Sequence, residues 1–141
     1  MTDREAVVRA FLAAWGEGDA RSLADFFTED AVVWNDGRTT VRGREAIREH
    51  FVVQLSACTD LDLEITHTAV SGNTVFNERI DRLKVAGAPI ELPVAGVFEV
   101  DDAGKLVAWR DYFDLNTVMT QLSAAGIGGD PNAPIPQAPG S

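Results

Sequence analysis

The chain opens with polar and apolar positions spaced for a helix. Ala6, Val7, Ala10, Phe11 and Ala14 recur every three or four residues behind Thr2-x-x-Glu5, which reads as a capping box, and Gly16 and Gly18 end the run. Asp19 is placed to cap a second short helix that turns Leu23, Phe26 and Phe27 inward. "TEDAVVWNDG" then reads as a strand closed by an Asn-Asp-Gly turn. "GREAIREHFVVQLSA" is a third helix with Ile47, Phe51 and Leu55 on one stripe.

From residue 61 the period changes to two. "LDLEITHTA" puts Leu61, Leu63, Ile65 and His67 on one side and Asp62, Glu64 and Thr66 on the other. "TVFNERIDRLKV", "IELPVAGVFEV" and "KLVAWRDYFDL" follow, joined by the short turns "SGN", "AGAP" and "DDAG". In the third of these four strands Leu92, Val94, Phe98 and Val100 share a face. "NTVMTQLSAAG" is a last short helix. Helices first, then antiparallel strands, predict an α+β fold: a cone-shaped, strongly bent mixed sheet covered by the N-terminal helices and enclosing a pocket. Residues 1–125 form one domain, and the Gly/Pro-rich stretch 126–141 is expected to be a flexible tail.

Two strands break the alternation with charge. The parity that carries Val75 and Leu83 also carries Asn77, Arg79 and Asp81, and Asp111 shares a face with Val107, Trp109 and Phe113. Two strands of one sheet can bring Arg79, Asp81 and Asp111 around one hollow, with Asn35 at the end of the first strand as a fourth member. Two carboxylates in a dry pocket raise each other's proton affinity, and burial raises it further. An arginine between them offsets part of that and can grip both with its planar fork. Such a pair holds about one proton near neutrality, so one group can donate while the other accepts. The same residues could instead form an ion pair at a sheet edge or a dimer contact, and Asp111 could simply bind backbone amides.

Composition narrows the classes. The net charge is −10, which opposes binding to a phosphate backbone or an anionic membrane surface. No stretch approaches the ~20 apolar residues of a membrane span, and "MTDREAVVRAF" lacks the apolar core of a secretory signal. The single cysteine, Cys58, excludes an internal disulfide and fits a reducing cytosol. His50 and His67 fall in different elements, with no metal-ligand spacing, so neither metal nor cofactor is expected. His67, on the apolar parity of its strand, reads as a core histidine, and Trp15 as a packing residue.

"ERIDRL" at residues 78–83, followed by "WRDYFDL" at residues 109–115, resembles the limonene epoxide hydrolase family. "GREAI" resembles the broader superfamily of nuclear transport factor two, ketosteroid isomerases and SnoaL-like cyclases. The likeness runs from Thr2 to Leu122. It implies a homodimer that adds water to a small apolar epoxide in one step, without a covalent intermediate. By the same resemblance Asp81 is the acid, Asp111 the base that activates water, Arg79 the bridge and Asn35 a water ligand. Trp109, Phe113, Leu83, Phe98 and Val33 are then assigned to the substrate pocket. Val33 stands where the family has a water-binding tyrosine. A SnoaL-like cyclase or an isomerase acting on a polyketide- or steroid-like substrate is the alternative, although Asn35 occupies the place of the isomerases' catalytic aspartate and the cyclases lack the arginine bridge. A non-catalytic domain binding a hydrophobic ligand is the third reading.

Overall fold

Asp3, rather than Thr2, caps the first helix: its carboxylate accepts from the Ala6 amide at 3.0 Å, while the Thr2 hydroxyl donates to the Asp102 carbonyl. The computed structural model describes residues 2–127. Helix α1 spans Arg4–Trp15 and α2 spans Ala20–Ala24, the latter capped by Asp19 as its position suggests. Phe27 does not belong to α2; it opens strand β1, Phe27–Trp34. A two-residue strand β2, Val41–Arg42, precedes α3, Arg44–Ala57. The long strands β3 (Thr59–Ser71), β4 (Thr74–Val85) and β5 (Ala88–Val100) follow, then β6 (Leu106–Tyr112) and α4 (Leu115–Ala124). The tail expected at 126–141 lies, beyond Ile127, outside the described residues.

The six strands form one curved open sheet in the order β2-β1-β6-β5-β4-β3. Every pairing is antiparallel except β1 with β6, so the sheet is mixed and the fold α+β. Helices α1 and α3 cover its inner face. Their apolar stripes and the inward parity of the strands meet in one core, with Phe11 at its centre. The Phe11 ring touches those of Trp15, Phe26, Phe27, Phe51, Phe98 and Trp109, mostly edge to face.

His67 corrects the reading of β3. The β3–β4 register pairs Ile65 with Arg79 but His67 with Glu78, so Thr66 is an extra residue. That bulge reverses the parity beyond it. His67 therefore points outward, with its side chain 81% exposed and Nδ1 3.1 Å from the Glu78 carboxylate.

Among the described residues no helix is long and apolar enough to cross a membrane, and no cluster of metal-binding side chains occurs.

Candidate active site

Arg79 is fully buried, and all five of its N–H donors are used. Nε and Nη2 donate to the two oxygens of Asp81 at 3.0 and 2.9 Å. Nη1 and Nη2 donate to the two oxygens of Asp111 at 3.1 and 2.8 Å. The remaining Nη1 hydrogen goes to Asn77 Oδ1 at 3.2 Å. One guanidinium thus grips two carboxylates, each through a pair of parallel bonds.

The backbone explains how these groups meet. Residues 77, 79 and 81 of β4 point to the inner face because their parity is that of the buried Val75. Strand β5 separates β4 from β6, and its Gly96 pairs with Asn77 on one side and Asp111 on the other. A side chain there would block the bridge. A Cβ on Gly96 would stand 2.5 Å from Arg79 Nη1 and 2.8 Å from Asn77 Oδ1. This glycine serves a close approach, a recurrent use of glycine inside a strand.

Asp111 receives a third donor, the Trp109 indole N–H at 2.8 Å to Oδ1. Burial pushes its carboxyl above the ordinary carboxylate range; the Arg79 charge and hydrogen bonds offset part of this, and the Asp81 charge adds to it. For Arg79 burial opposes the charge, but the two carboxylates prevail and hold the guanidinium protonated.

The cluster faces a cavity of about 140 Å³. Its polar wall is Asn35, Gln54, Arg79, Asp81 and Asp111. Its apolar wall is Trp15, Leu61, Leu63, Leu83, Leu92 and Trp109, with Cys58 at the side. A larger surface cleft of about 550 Å³ lies beside Val7, Phe26 and Lys105, away from the buried charges.

Asn35, Arg79, Asp81, Asp111, Trp109 and Leu83 therefore share one cavity, whereas three residues assigned to the pocket lie elsewhere. Val33 and Phe98 are fully buried in the core, Phe98 stacked behind Trp109 at 5.9 Å. Inward parity put both on the helix-covered face, but their positions on it are filled core rather than cavity wall. Phe113 falls just past the end of β6, where the chain turns toward the α4 cap at Asp114, and its ring lies beside Gly37.

Four contributors were not assigned. Asn77 shared the parity of Arg79 and Asp81, and Gly96 interrupted an apolar strand; both signals were present in the sequence. Gln54 and His50 carried no such signal. They lie one turn apart on α3 and both bond Asn35, a contact that exists only once α3 packs beside the end of β1.

The sequence model of the limonene-1,2-epoxide hydrolase catalytic domain matches residues 2–124. The chain belongs to this family. It is 32% identical to epoxide hydrolase EphG of Mycobacterium tuberculosis over 108 residues, which cover 77% of this chain and 71% of that protein. The solved structure of a limonene-epoxide-hydrolase-like epoxide hydrolase of M. tuberculosis superposes with a TM-score of 0.73 at 29% identity, over 84% of this chain and 88% of that one. A SnoaL-like protein of Shewanella denitrificans superposes with a TM-score of 0.79 at 18% identity, over 88% and 99% of the two chains; at that identity the likeness is one of fold.

Proposed function

We propose that this family member hydrolyses a small apolar epoxide in one step by general acid/base catalysis. The observation that carries the reading is the fully buried Arg79 holding Asp81 and Asp111 together at one cavity. Without a shared proton the trio carries −1 in a sheltered site; with one it is neutral, which burial favours. Three donors address Asp111 and two address Asp81, so Asp111 is the better supported as an anion, which suits it to the base role and leaves Asp81 the role of acid.

The reaction then balances without a metal or a nucleophilic side chain. Asp111 takes a proton from water as the water oxygen bonds to an epoxide carbon. The bond from that same carbon to the epoxide oxygen, on the side away from the water, breaks, and Asp81 gives its proton to the departing oxygen, forming a diol. One proton resides on the pair before and after, so the charge around Arg79 does not change during the step. Proton exchange through the cavity restores the starting arrangement.

The cavity volume supports a compact substrate. A void of roughly 150 Å³ accommodates a benzene ring, so about 140 Å³ suits a cycloalkene oxide better than a polyketide. A second copy of the chain is the expected partner. The outer sheet face carries exposed Phe76 and Tyr112, with Trp34 packed edge-on against Tyr112 at 5.1 Å. A cytosolic setting fits the single, unpaired Cys58.

The test is diol formation from a panel of cycloalkene and terpene oxides. In oxygen-18 water under single turnover, the label should enter the diol and not the protein. Label in Asp81 or Asp111, or no diol from any epoxide, would overturn the proposal.

A further inference from the structure

The Asn35 side of the cavity's polar wall is a built unit. Asn35 Oδ1 lies 2.9 Å from His50 Nε2 and accepts from Gln54 Nε2 at 3.1 Å. Asn35 Nδ2 donates to Gln54 Oε1 at 3.0 Å. Asn35 and Gln54 thus form a reciprocal amide pair, and both line the cavity with Asp111. Each amide offers two hydrogens and two lone pairs. With His50 donating, both lone pairs of Asn35 Oδ1 are used. One N–H on each amide and one lone pair on Gln54 Oε1 stay available. A water attacking an epoxide needs that complement: one hydrogen goes to its base, the other needs an acceptor, and a donor must hold the oxygen.

We propose that His50 fixes which way round the Asn35–Gln54 pair lies, and that the pair holds the attacking water, with Gln54 Oε1 accepting its second hydrogen and an amide N–H donating to its oxygen. Gln54 thereby touches a reacting molecule; His50 acts through Asn35 and is a positioning residue. The second half rests on the hydrolase reading, while the orientation of the pair stands without it. The mechanism of the lock is one of matching. If Nε2 carried no proton, it would need a donor, Asn35 would turn its Nδ2 toward it, and Gln54 would turn in response. The tautomer of one ring and the orientation of two amides are therefore a single choice. Burial lowers the proton affinity of His50, against the opposing charge of Asp36, so near neutrality the ring holds one N–H.

Two measurements on the full chain test this. Nitrogen-15 NMR of the wild-type imidazole should show the proton on Nε2 of His50; a proton confined to Nδ1 would overturn the lock. With cyclohexene oxide, His50→Phe should lower kcat about tenfold at nearly unchanged KM, the scale of one lost hydrogen bond. His50→Gln, which returns an N–H close to the Nε2 position, should recover most of it, and Gln54→Met should lose about tenfold in kcat. Equal losses in His50→Gln and His50→Phe, or full kcat in Gln54→Met, would overturn the proposal. A wild-type chain that hydrolyses no epoxide would instead remove the hydrolase reading, and the tautomer would then decide the lock alone.

Discussion

The guanidinium of Arg79 fills the space that a methyl group on Gly96 would need, 2.5 Å from Nη1. The sheet is therefore built around the arginine as much as the arginine is built into the sheet. Gly96→Ala should force the fork off one or both carboxylates. We expect a stability loss of about 1–3 kcal/mol, the usual cost of overpacking, together with a fall in epoxide turnover. Urea unfolding and diol formation measured on one preparation check both.

Arg79→Lys tests the fork itself. A lysine has one ammonium and cannot pair with two carboxylates through parallel bonds. It leaves part of a buried charge network unmatched, a defect that typically costs about 3–5 kcal/mol when a partner is removed outright. The variant should unfold at lower urea concentration than Gly96→Ala, and its turnover should be abolished. A lysine variant as stable as wild type would show that the bidentate geometry contributes little.

The two carboxylates should be separable by function but not by activity. Asp81→Asn cannot give up a proton as an acid, and Asp111→Asn cannot accept one, so each should reduce diol formation to background. Both variants should still bind a small apolar amide in calorimetry, because the apolar wall of Leu61, Leu63, Leu92 and Trp109 is untouched.

The shifted groups predict opposite pH slopes. Burial raises the proton affinity of Asp111, and Arg79 couples it to Asp81, so above the ordinary value of 3.8 the folded pair keeps a proton that the unfolded chain has lost. Stability should then fall as pH rises through that window. His50 is shifted down by burial, so below its ordinary value of 6.5 the unfolded chain binds a proton the folded state resists. Its contribution should be lost as pH falls. Urea unfolding from pH 4 to 7 should show Asp111→Asn losing the first slope and His50→Gln losing the second.

Part of the site was legible because charge interrupts an apolar alternation. Arg79, Asp81 and Asp111 are visible as polar residues on inward parity, and their resemblance to a known pair of segments assigned them roles. His67 had the same parity and faces solvent, because a bulge at Thr66 lies between it and Ile65. Parity holds only as far as register holds, and nothing in "EITHT" marks the extra residue. Val33 and Phe98 show the complementary limit: inward parity does not distinguish a core position from a cavity wall.

The amino-acid sequence by itself determined the order and type of the long elements, since periods of 3.6 and 2 are properties of neighbours along the chain. It also determined that a cation and two acids would point inward. Only the tertiary structure decided that Gly96 leaves them room, that Asn77 takes the last guanidinium hydrogen, and that His50 and Gln54 close on Asn35. Those contacts join α3 to Asn35, just past the end of β1 and 15 to 19 residues away, or lie across three strands, and they depend on distances set by packing.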